Sequence, residues 1–301
     1  MAFNPPSRPL AIAEATLVAI IWASSFVFIK LTLPYVGPLT LAGTRYFLGF
    51  LLLLPIWLVR RNDGHGLSPR SFGRLFLLGV SSFTLGNGAL FWGLKYLPAT
   101  TGSFSLSLIP ILVLIGSLVW LREVPTRWQV LGMFVALVGG VLFFSPGLKV
   151  GEPLGIGLVS VGLIGFSLFG LLGRDIAREH SVNTLTLTTL PLAFGGGLTL
   201  LIALSFEGVS GFTWKAFSFI VTLAVVHTAL AYILYNHSLQ TLTALEINIA
   251  LNLIPVGTAV FAYFLLGEEL HLVQIIGMVV VVVGVALVQA GSENQVGSEH
   301  A

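Results

Sequence analysis

Hydroxyl, amide and proline residues recur at a fixed spacing inside two strongly apolar segments of the chain. Two sets share the spacing i, i+4, i+7: Ser103, Ser107 and Pro110 in the first segment, and Asn248, Asn252 and Pro255 in the second. This spacing places the members of each set on one face of a helix. Hydroxyl and amide groups on such a face can hydrogen-bond a polar solute in a cavity, or they can bond a neighbouring helix. Both interpretations stay open for the serines, and for the asparagines we favour the cavity.

Five further residues in apolar segments have side chains suited to a small solute: Trp22, Ser24, Asn87, His227 and Tyr232. An aromatic ring can stack on an aromatic solute or attract an ammonium group, and Asn87 and Tyr232 can hydrogen-bond an amino or carboxyl group. Trp22 lies in the middle of its segment, whereas Trp and Tyr near segment ends are also explained by the membrane interface. His227 could carry a proton, and a neutral, hydrogen-bonded histidine is the alternative.

Few charged residues fall within the apolar segments. Arg45 lies about seven residues into the second one, which is roughly 10 Å at 1.5 Å per residue. We expect a structural role for it, in which the guanidinium reaches the segment end or pairs with a carboxylate. Glu14 lies near the start of the first segment, where we expect it to be exposed. Glu123 and Glu268 follow apolar segments, and we interpret them as packing or capping groups.

The motifs of enzymatic chemistry are missing from the sequence. It has no phosphate-binding G-x-x-x-x-G-K-[ST] motif, and its six histidines are scattered. The chain contains no cysteine, which excludes disulfides and thiol chemistry. An intramembrane enzyme would need Asp, Glu, His or Arg clustered at one depth, and the sequence has no such cluster. We therefore predict that the protein is not an enzyme and has no catalytic residues, no metal site and no cofactor.

The composition is typical of a membrane protein. Of the 301 residues, 56% are hydrophobic and only 9% are charged, against about 25% charged in soluble domains. So little charge could not cover the surface of a soluble domain, and we expect the lipid bilayer to surround most of the chain. The net charge of +2 is spread between the apolar runs, which argues against nucleic acid as a partner.

The predicted fold class is an all-α integral membrane protein with ten transmembrane helices. Segments of roughly 20 apolar residues can cross a bilayer, and we assign spans at about 11–30, 38–59, 72–94, 99–121, 128–145, 153–173, 184–206, 214–236, 243–266 and 271–290. We interpret the first segment as a span and not as a cleaved signal peptide. With the N-terminus inside, nine arginines fall on the cytoplasmic side and four lysines on the outer side. The positive-inside rule therefore predicts that both termini are cytoplasmic.

The phrase Leu-x-Leu-Ile-Pro occurs twice, and its prolines are 255 − 110 = 145 residues apart. The same offset pairs other residue types that are less common in membrane helices: Glu123 with Glu268, and Gln129 with Gln274. We interpret this as a duplication, with five spans in residues 1–150, five in 151–291 and a polar, disordered tail in 292–301. Five is odd, so the second copy is inverted, and in secondary transporters such repeats place the substrate site between the halves. Because proline interrupts a helix, we predict paired hinges at Pro110 and Pro255.

The run from Leu253 to Gly284, LIPV…LLGEEL…QIIGM…VG, resembles the EamA domain of the drug/metabolite transporter superfamily. So do Trp22–Phe26 and Lys30 on the first span, followed by Arg45 on the second. Among members of this family, the chain looks most like bacterial amino-acid exporters of the YddG type, which handle aromatic amino acids. The resemblance implies that spans 1–4 and 6–9 surround a central cavity. It also implies that spans 5 and 10 are peripheral and support packing or the contacts of a homodimer.

From the repeat and the resemblance we expect a transporter in the bacterial inner membrane. It would export a small amphipathic metabolite by alternating access, and an amino acid, aromatic or otherwise neutral, is the first substrate to test. The expected partners are this small molecule and the lipid bilayer. An exporter of drugs or quaternary cations is the alternative, although the sequence shows no deep carboxylate for a cation. A channel fits less well, because it would need a polar ring from several helices.

Overall fold

The computed structural model describes residues 5–60, 68–93, 96, 105–145, 152–179, 182–207, 213–266 and 271–298, and apart from short turns and connections these residues are helical. The helices in chain order are α1 (Arg8–Thr32), α2 (Pro38–Arg60), α3 (Pro69–Gly93), α4 (Ile109–Leu121), α5 (Arg127–Phe144), α6 (Pro153–Arg178), α7 (Thr184–Phe206), α8 (Trp214–Ser238), α9 (Ala244–Leu265) and α10 (Leu272–Ser298). This part of the chain contains no β-strand. The predicted all-α class is confirmed for these residues.

Seven helices in the described residues are long and apolar enough to cross a membrane, namely α1, α2, α3, α6, α7, α8 and α9. The others contain shorter apolar helical stretches: Ile109–Leu121, Arg127–Phe143 and Leu272–Val288. The predicted Ser103 lies outside the described residues. α10 continues as helix through Ser298, so the polar segment after residue 291 is helical as far as that residue and not disordered as we expected.

Side chains that cap helix N-termini fix where several of these helices begin. The first N–H groups of a helix have no partner within the helix, and a polar side chain supplies one. Each cap accepts a hydrogen bond from the residue three positions later: Ser68 from Ser71, Thr126 from Gln129, Asn183 from Thr186, Thr213 from Ala216, and Thr243 from Glu246. The caps therefore satisfy a backbone donor in the first turn of each of these helices.

α9 is broken immediately before its proline. Residues 251–252 form a turn, in which the Asn252 N–H donates to the Ile249 carbonyl at 3.0 Å instead of to a carbonyl four residues back. Pro255, three residues further on, has no N–H to donate. The helix therefore changes to a tighter local spacing at this point, as short 3₁₀ turns do.

The segment around α4 has the same interruption at the equivalent position. Residues 107–108 form a turn ahead of Pro110, and the Leu108 N–H donates to the Ser105 carbonyl at 3.0 Å. Both helices are thus interrupted close to where the prolines predicted it. Whether these breaks act as hinges stays a prediction.

α5 and α10 pack against each other through glycines. A Cβ atom added at Gly132 would lie 2.6 Å from the Gly284 carbonyl oxygen, and one added at Gly139 would lie 2.8 Å from that of Gly277. These are reciprocal contacts, because Gly277 and Gly284 follow Gly132 and Gly139 by 145 residues. Small residues let two membrane helices approach this closely.

Candidate functional site

Six aromatic side chains from α1, α2, α3, α6 and α8 pack against one another in the interior. We call this group the aromatic cluster, and it consists of Trp22, Tyr46, Phe83, Phe169, Tyr232 and Tyr235. Ring centroids are 5.1 Å apart for Trp22 and Tyr232, 5.2 Å for Phe83 and Tyr232, and 4.5 Å for Tyr46 and Phe83. These separations are those of favourable tilted and edge-to-face ring pairs.

In the described residues the aromatic cluster fills the region around Tyr232, and the expected central cavity stays a prediction. Tyr232, a predicted cavity residue, is only 7% exposed and contacts five other rings. Phe169 and Tyr235 stack with an angle of 17° between their planes. In the described residues the space between these helices is therefore occupied by large rings, because five helices each direct an aromatic side chain to the same region. The predicted proximity of Trp22 and Tyr232 is confirmed.

Arg45 lies buried beside the aromatic cluster, with 5% of the residue exposed. Its Nε donates to the Thr228 hydroxyl at 2.9 Å, its Nη1 to the Ser25 hydroxyl at 3.0 Å, and its Nη2 to the His227 carbonyl oxygen at 3.0 Å. The guanidinium carbon lies 5.1 Å from the ring centroid of Tyr46. We call Arg45 with Ser25, His227 and Thr228 the arginine site.

The arginine site differs from the two arrangements that we considered for Arg45, and a structural role stays a prediction. The side chain neither reaches the end of α2 nor pairs with a carboxylate, and within the described residues all three of its hydrogen-bond acceptors are uncharged. Inserting an arginine near the middle of a membrane helix costs roughly 2.5–3.5 kcal/mol on biological insertion scales. A cation held at such a cost without a counter-charge is a functional hypothesis by itself.

The backbone of α8 explains why side chains converge on this place. Residues Val225–Leu230 form a π-helical segment, whose backbone hydrogen bonds have a wider spacing than those of an α-helix. The carbonyl of His227, inside this segment, accepts from Arg45 at 3.0 Å and from the Trp22 indole N–H at 3.1 Å. An equivalent π-helical segment, Val80–Gly88, begins 225 − 80 = 145 residues earlier in α3.

Ser24 and His227 contact each other, as part of the same polar region. The Ser24 hydroxyl and His227 Nε2 are 3.0 Å apart, and the hydroxyl also donates to the Ile21 carbonyl at 2.8 Å. Because that hydroxyl proton goes to Ile21, the Nε2–H tautomer of His227 would make the second bond. The structure thus brings three predicted residues, Trp22, Ser24 and His227, around one point.

A second group of predicted residues meets at the helix breaks. Ser107 and Asn252, which are equivalent across the 145-residue offset, line the same small pocket together with Pro255 and residues of α5 and α10. We call this the break pocket. Asn252 is 8% exposed, and its amide nitrogen Nδ2 has no hydrogen-bond partner. A buried amide donor without a partner costs free energy. A ligand or water that accepts a hydrogen bond from Nδ2 would remove this cost.

Two predicted asparagines instead bond to their own helices. Asn87 Nδ2 donates to the Ser82 carbonyl at 2.9 Å, within the π-helical segment of α3. Asn248 Nδ2 donates to the Ala244 carbonyl at 2.8 Å and lies against Gly170, whose added Cβ would be 2.8 Å away. These side chains are satisfied locally in this structure, so their roles in substrate binding stay predictions.

Ion pairs join several helix ends on one side of the bundle. Arg8, at the start of α1, pairs with the buried Glu246 of α9 at 2.5 Å, and Gln129 Nε2 donates to the same carboxylate oxygen at 3.3 Å. Glu14 is 9% exposed, not exposed as expected, because it accepts from His237 Nδ1 at 2.8 Å. These contacts hold the start of α1 to the end of α8 and the start of α9.

Further helix ends on this side are joined in the same way. Arg74 contacts Asp175 at 2.5 Å and Glu179 at 2.7 Å, which links α3 to α6. Arg174 contacts Glu123 at 2.8 Å, which links α6 to the end of α4. We call these contacts, together with the pairs Arg8–Glu246 and Glu14–His237, the ion-pair layer.

Sequence reasoning did not include Arg45, Ser25 and Thr228 among the site residues. Arg45 could have been found from its depth in an apolar span, since a deep charge is expensive. Ser25 and Thr228 carry no such signal, because serine and threonine are common in membrane helices and only the packing of α1 on α8 brings them to Arg45.

The model of the EamA-like transporter family matches the chain twice, over residues 10–145 and 153–290. YyaM of Bacillus subtilis, named an uncharacterized transporter, is 26% identical over 278 residues, which are 89% of each chain. A transporter of S-adenosylmethionine and S-adenosylhomocysteine from Chlamydia trachomatis serovar L2 is 25% identical over 284 residues, covering 88% of this chain and 84% of that one.

A solved crystal structure, described only as that of a protein, has the same fold. The two superpose with a TM-score of 0.80 and 18% identity, over 94% of this chain and 99% of the other. At this identity the likeness establishes the fold alone.

Proposed function

We propose, since the chain belongs to the EamA-like transporter family, that this multi-pass membrane protein is a secondary carrier for a small amphipathic metabolite. An amino acid, aromatic or otherwise neutral, is the substrate we propose, with export from the bacterial cytoplasm as the direction. The observation that carries the proposal is the arginine site beside the aromatic cluster. It combines a buried cation with apolar rings, which are the two surfaces that an amphipathic acid requires.

We further propose that ten helices cross the membrane as two inverted halves. The ion-pair layer supports this, because it joins the start of α1, the start of α3 and the ends of α4 and α6. In a chain that crosses at every helix, the starts of odd helices and the ends of even ones lie on one side. The ends of α4 and α6 lie on the same side as the starts of α1 and α3 only if the shorter helices α4 and α5 also cross the membrane.

Several repeated details support the two halves, residues 1–150 and 151–291. The first family match ends at residue 145 and the second at residue 290, which again gives an offset of 145 residues. Gln129 and Gln274 each accept from the backbone N–H of the residue three positions earlier, at 2.8 and 2.9 Å. The reciprocal glycine contacts between α5 and α10 are those that a pseudo-two-fold axis produces.

In this proposal the carrier works by alternating access, with the breaks at Pro110 and Pro255 as hinges. The ion-pair layer closes the cytoplasmic side, where both termini lie, and it must open for a substrate to enter from the cytoplasm. Inverted repeats place a site between the halves, and we propose that Ser107 and Asn252 of the break pocket, one from each half, contribute to it. We assign α5 and α10 to packing support, and a homodimer through them remains a proposal to test by oligomeric state.

The relatives support transport and leave the substrate class to be proposed. S-adenosylmethionine, in the name of the chlamydial relative, is itself an amino-acid derivative that carries a carboxylate, a sulfonium cation and an aromatic base. A carrier for drugs or quaternary cations that lack an anionic group is disfavoured, because the buried charge at the site is positive. We therefore do not propose such a cation as the substrate.

The test is uptake into vesicles that contain the purified protein. Labelled phenylalanine, threonine, methionine, S-adenosylmethionine and tetraphenylphosphonium would be offered at equal concentration, with protein-free vesicles as the control. We expect saturable uptake of at least one amino acid, and the least uptake for tetraphenylphosphonium. Uptake of tetraphenylphosphonium alone would overturn the amino-acid proposal in favour of a cation carrier.

A further inference from the structure

We infer that Arg45 binds the anionic group of the transported solute, which is the carboxylate if the substrate is an amino acid. This inference rests on the proposed transport function and adds the recognition residue. Arg45 is buried, carries a permanent charge and has only uncharged acceptors among the described residues. The arginine site therefore lacks one unit of negative charge, which an anionic solute would supply.

The guanidinium retains donors for such a solute. Arginine has five N–H groups, and each of its three nitrogens makes one hydrogen bond here. Two N–H groups therefore remain, one on each terminal nitrogen. A carboxylate can take two parallel N–H bonds from one guanidinium, which is the geometry that makes arginine a preferred carboxylate ligand.

The surrounding groups are suited to an anion as well. The hydroxyls of Ser25 and Thr228 accept from Arg45, so their own protons are available to donate. Described acidic side chains pair elsewhere, as Glu14 does with His237 and Glu246 with Arg8. No described carboxylate therefore competes with the solute for Arg45.

The position of the cation also orients the solute. Trp22 donates to the same His227 carbonyl as Arg45, and its ring lies 5.1 Å from that of Tyr232. A solute with its anionic end on Arg45 would therefore direct its apolar body toward the aromatic cluster. The inferred substrate class is a small molecule with an anionic group and an apolar, preferably aromatic, body a few atoms away.

The structural alternative is that Arg45 only ties α1, α2 and α8 together. Such a role predicts that substitutions lower stability without changing which solutes are bound. The two roles are separated by the ratio between the affinity of a solute with a carboxylate and that of the same solute with a carboxamide in its place.

The experiment measures how well phenylalanine and phenylalaninamide inhibit uptake of labelled phenylalanine into protein-containing vesicles. For the natural chain we expect the amide to inhibit at least about tenfold more weakly, because a charge-assisted hydrogen bond is lost. In Arg45→Gln the ratio should fall toward one, and Arg45→Lys should keep part of it. Arg70→Gln, which changes an exposed arginine, is the matched control and should keep the full ratio.

Equal inhibition by the two compounds in the natural chain would overturn the inference while leaving the transport proposal intact. A full ratio in folded Arg45→Gln would do the same. If Arg45→Gln does not fold, the natural chain and Arg45→Lys still decide the matter.

A failure of the transport proposal would be recognised separately, as no uptake of any amino acid by folded protein. The binding inference is then tested by thermal stabilisation, because a ligand that binds only the native state raises Tm. We expect 3-phenylpropionate to raise the Tm of the natural chain and 3-phenylpropanamide not to do so. Equal shifts, or a shift that survives in Arg45→Gln, would contradict it.

Discussion

Trp22 and Arg45, on neighbouring helices, donate hydrogen bonds to the same backbone oxygen, the carbonyl of His227. This carbonyl lies in the π-helical segment of α8, and the two side chains reach it from α1 and α2. The arginine site is therefore coupled to the packing of three helices. A change of Trp22 or Arg45 should alter both stability and substrate selection.

Replacement of Trp22 by phenylalanine should lower the free energy of unfolding by about 1–2 kcal/mol. The variant loses the indole hydrogen bond to the His227 carbonyl and part of the ring contact with Tyr232. Thermal unfolding in detergent measures the change, with Trp128→Phe as the control because Trp128 is 40% exposed. Equal Tm values for the two variants would contradict the assigned hydrogen bond.

Replacement of Gly132 by alanine should destabilise the packing of α5 on α10 by roughly 1–3 kcal/mol. The added Cβ would lie 2.6 Å from the Gly284 carbonyl oxygen, a distance that the backbone must widen. Gly157→Ala is the matched control, because a Cβ there has no neighbour within 4 Å. We expect the control to be neutral or slightly stabilising, and a control that loses as much Tm as Gly132→Ala would refute the interpretation.

Replacement of Asn252 by alanine should leave stability within about 0.5 kcal/mol and reduce uptake by at least about tenfold. Its Nδ2 has no hydrogen-bond partner in the native structure, so the substitution breaks no bond within the protein. A solute or water bound in the break pocket would lose the hydrogen bond that Nδ2 donates to it. Asn248→Ala serves as the comparison, since Asn248 is equally buried but donates to Ala244 within its own helix. Uptake that survives in Asn252→Ala would move the substrate site away from the break pocket.

The ion pair between Arg8 and Glu246 should contribute a coupling free energy of roughly 1–3 kcal/mol to stability. Glu246 is 1% exposed and Arg8 is its charged partner, so either single substitution leaves a partly buried group without its counter-charge. A double-mutant cycle with Arg8→Gln and Glu246→Gln measures this coupling. Additive effects of the two substitutions would show that the pair does not hold α1 to α9.

The inversion of the two halves can be tested with single cysteines, because the chain contains none. Ser68 and Thr213 cap α3 and α8 at positions 213 − 68 = 145 residues apart. A membrane-impermeant thiol reagent on intact cells should label Thr213→Cys and should label Ser68→Cys only after the membrane is opened. Labelling of both from the same side would contradict inverted halves.

Local patterns in the sequence predicted the parts of the fold that depend on local chemistry. The prolines at 110 and 255 lie immediately after breaks in their helices, because a missing N–H acts within one turn. The offset of 145 residues reappears in the π-helical segments of α3 and α8 and in the glycines of α5 and α10.

Features that depend on contacts between distant helices were not predicted. Glu14 is buried because His237, 223 residues later, pairs with it. The predicted cavity residue Tyr232 lies among other rings because Tyr46, Phe83 and Tyr232 converge from three helices. The periodicity of apolar residues within one helix does not predict which side chains of other helices will pack against that helix.

Counterflow tests the central claim, carrier-type transport by alternating access, most directly. Vesicles containing the protein would be loaded with unlabelled phenylalanine, and the initial uptake of labelled phenylalanine would be compared with that of empty vesicles over a range of concentrations. The account predicts faster uptake into loaded vesicles, saturation with external phenylalanine, and loss of both in Asn252→Ala. Uptake that rises linearly with external phenylalanine and is equal in loaded and empty vesicles would contradict a carrier and indicate a channel.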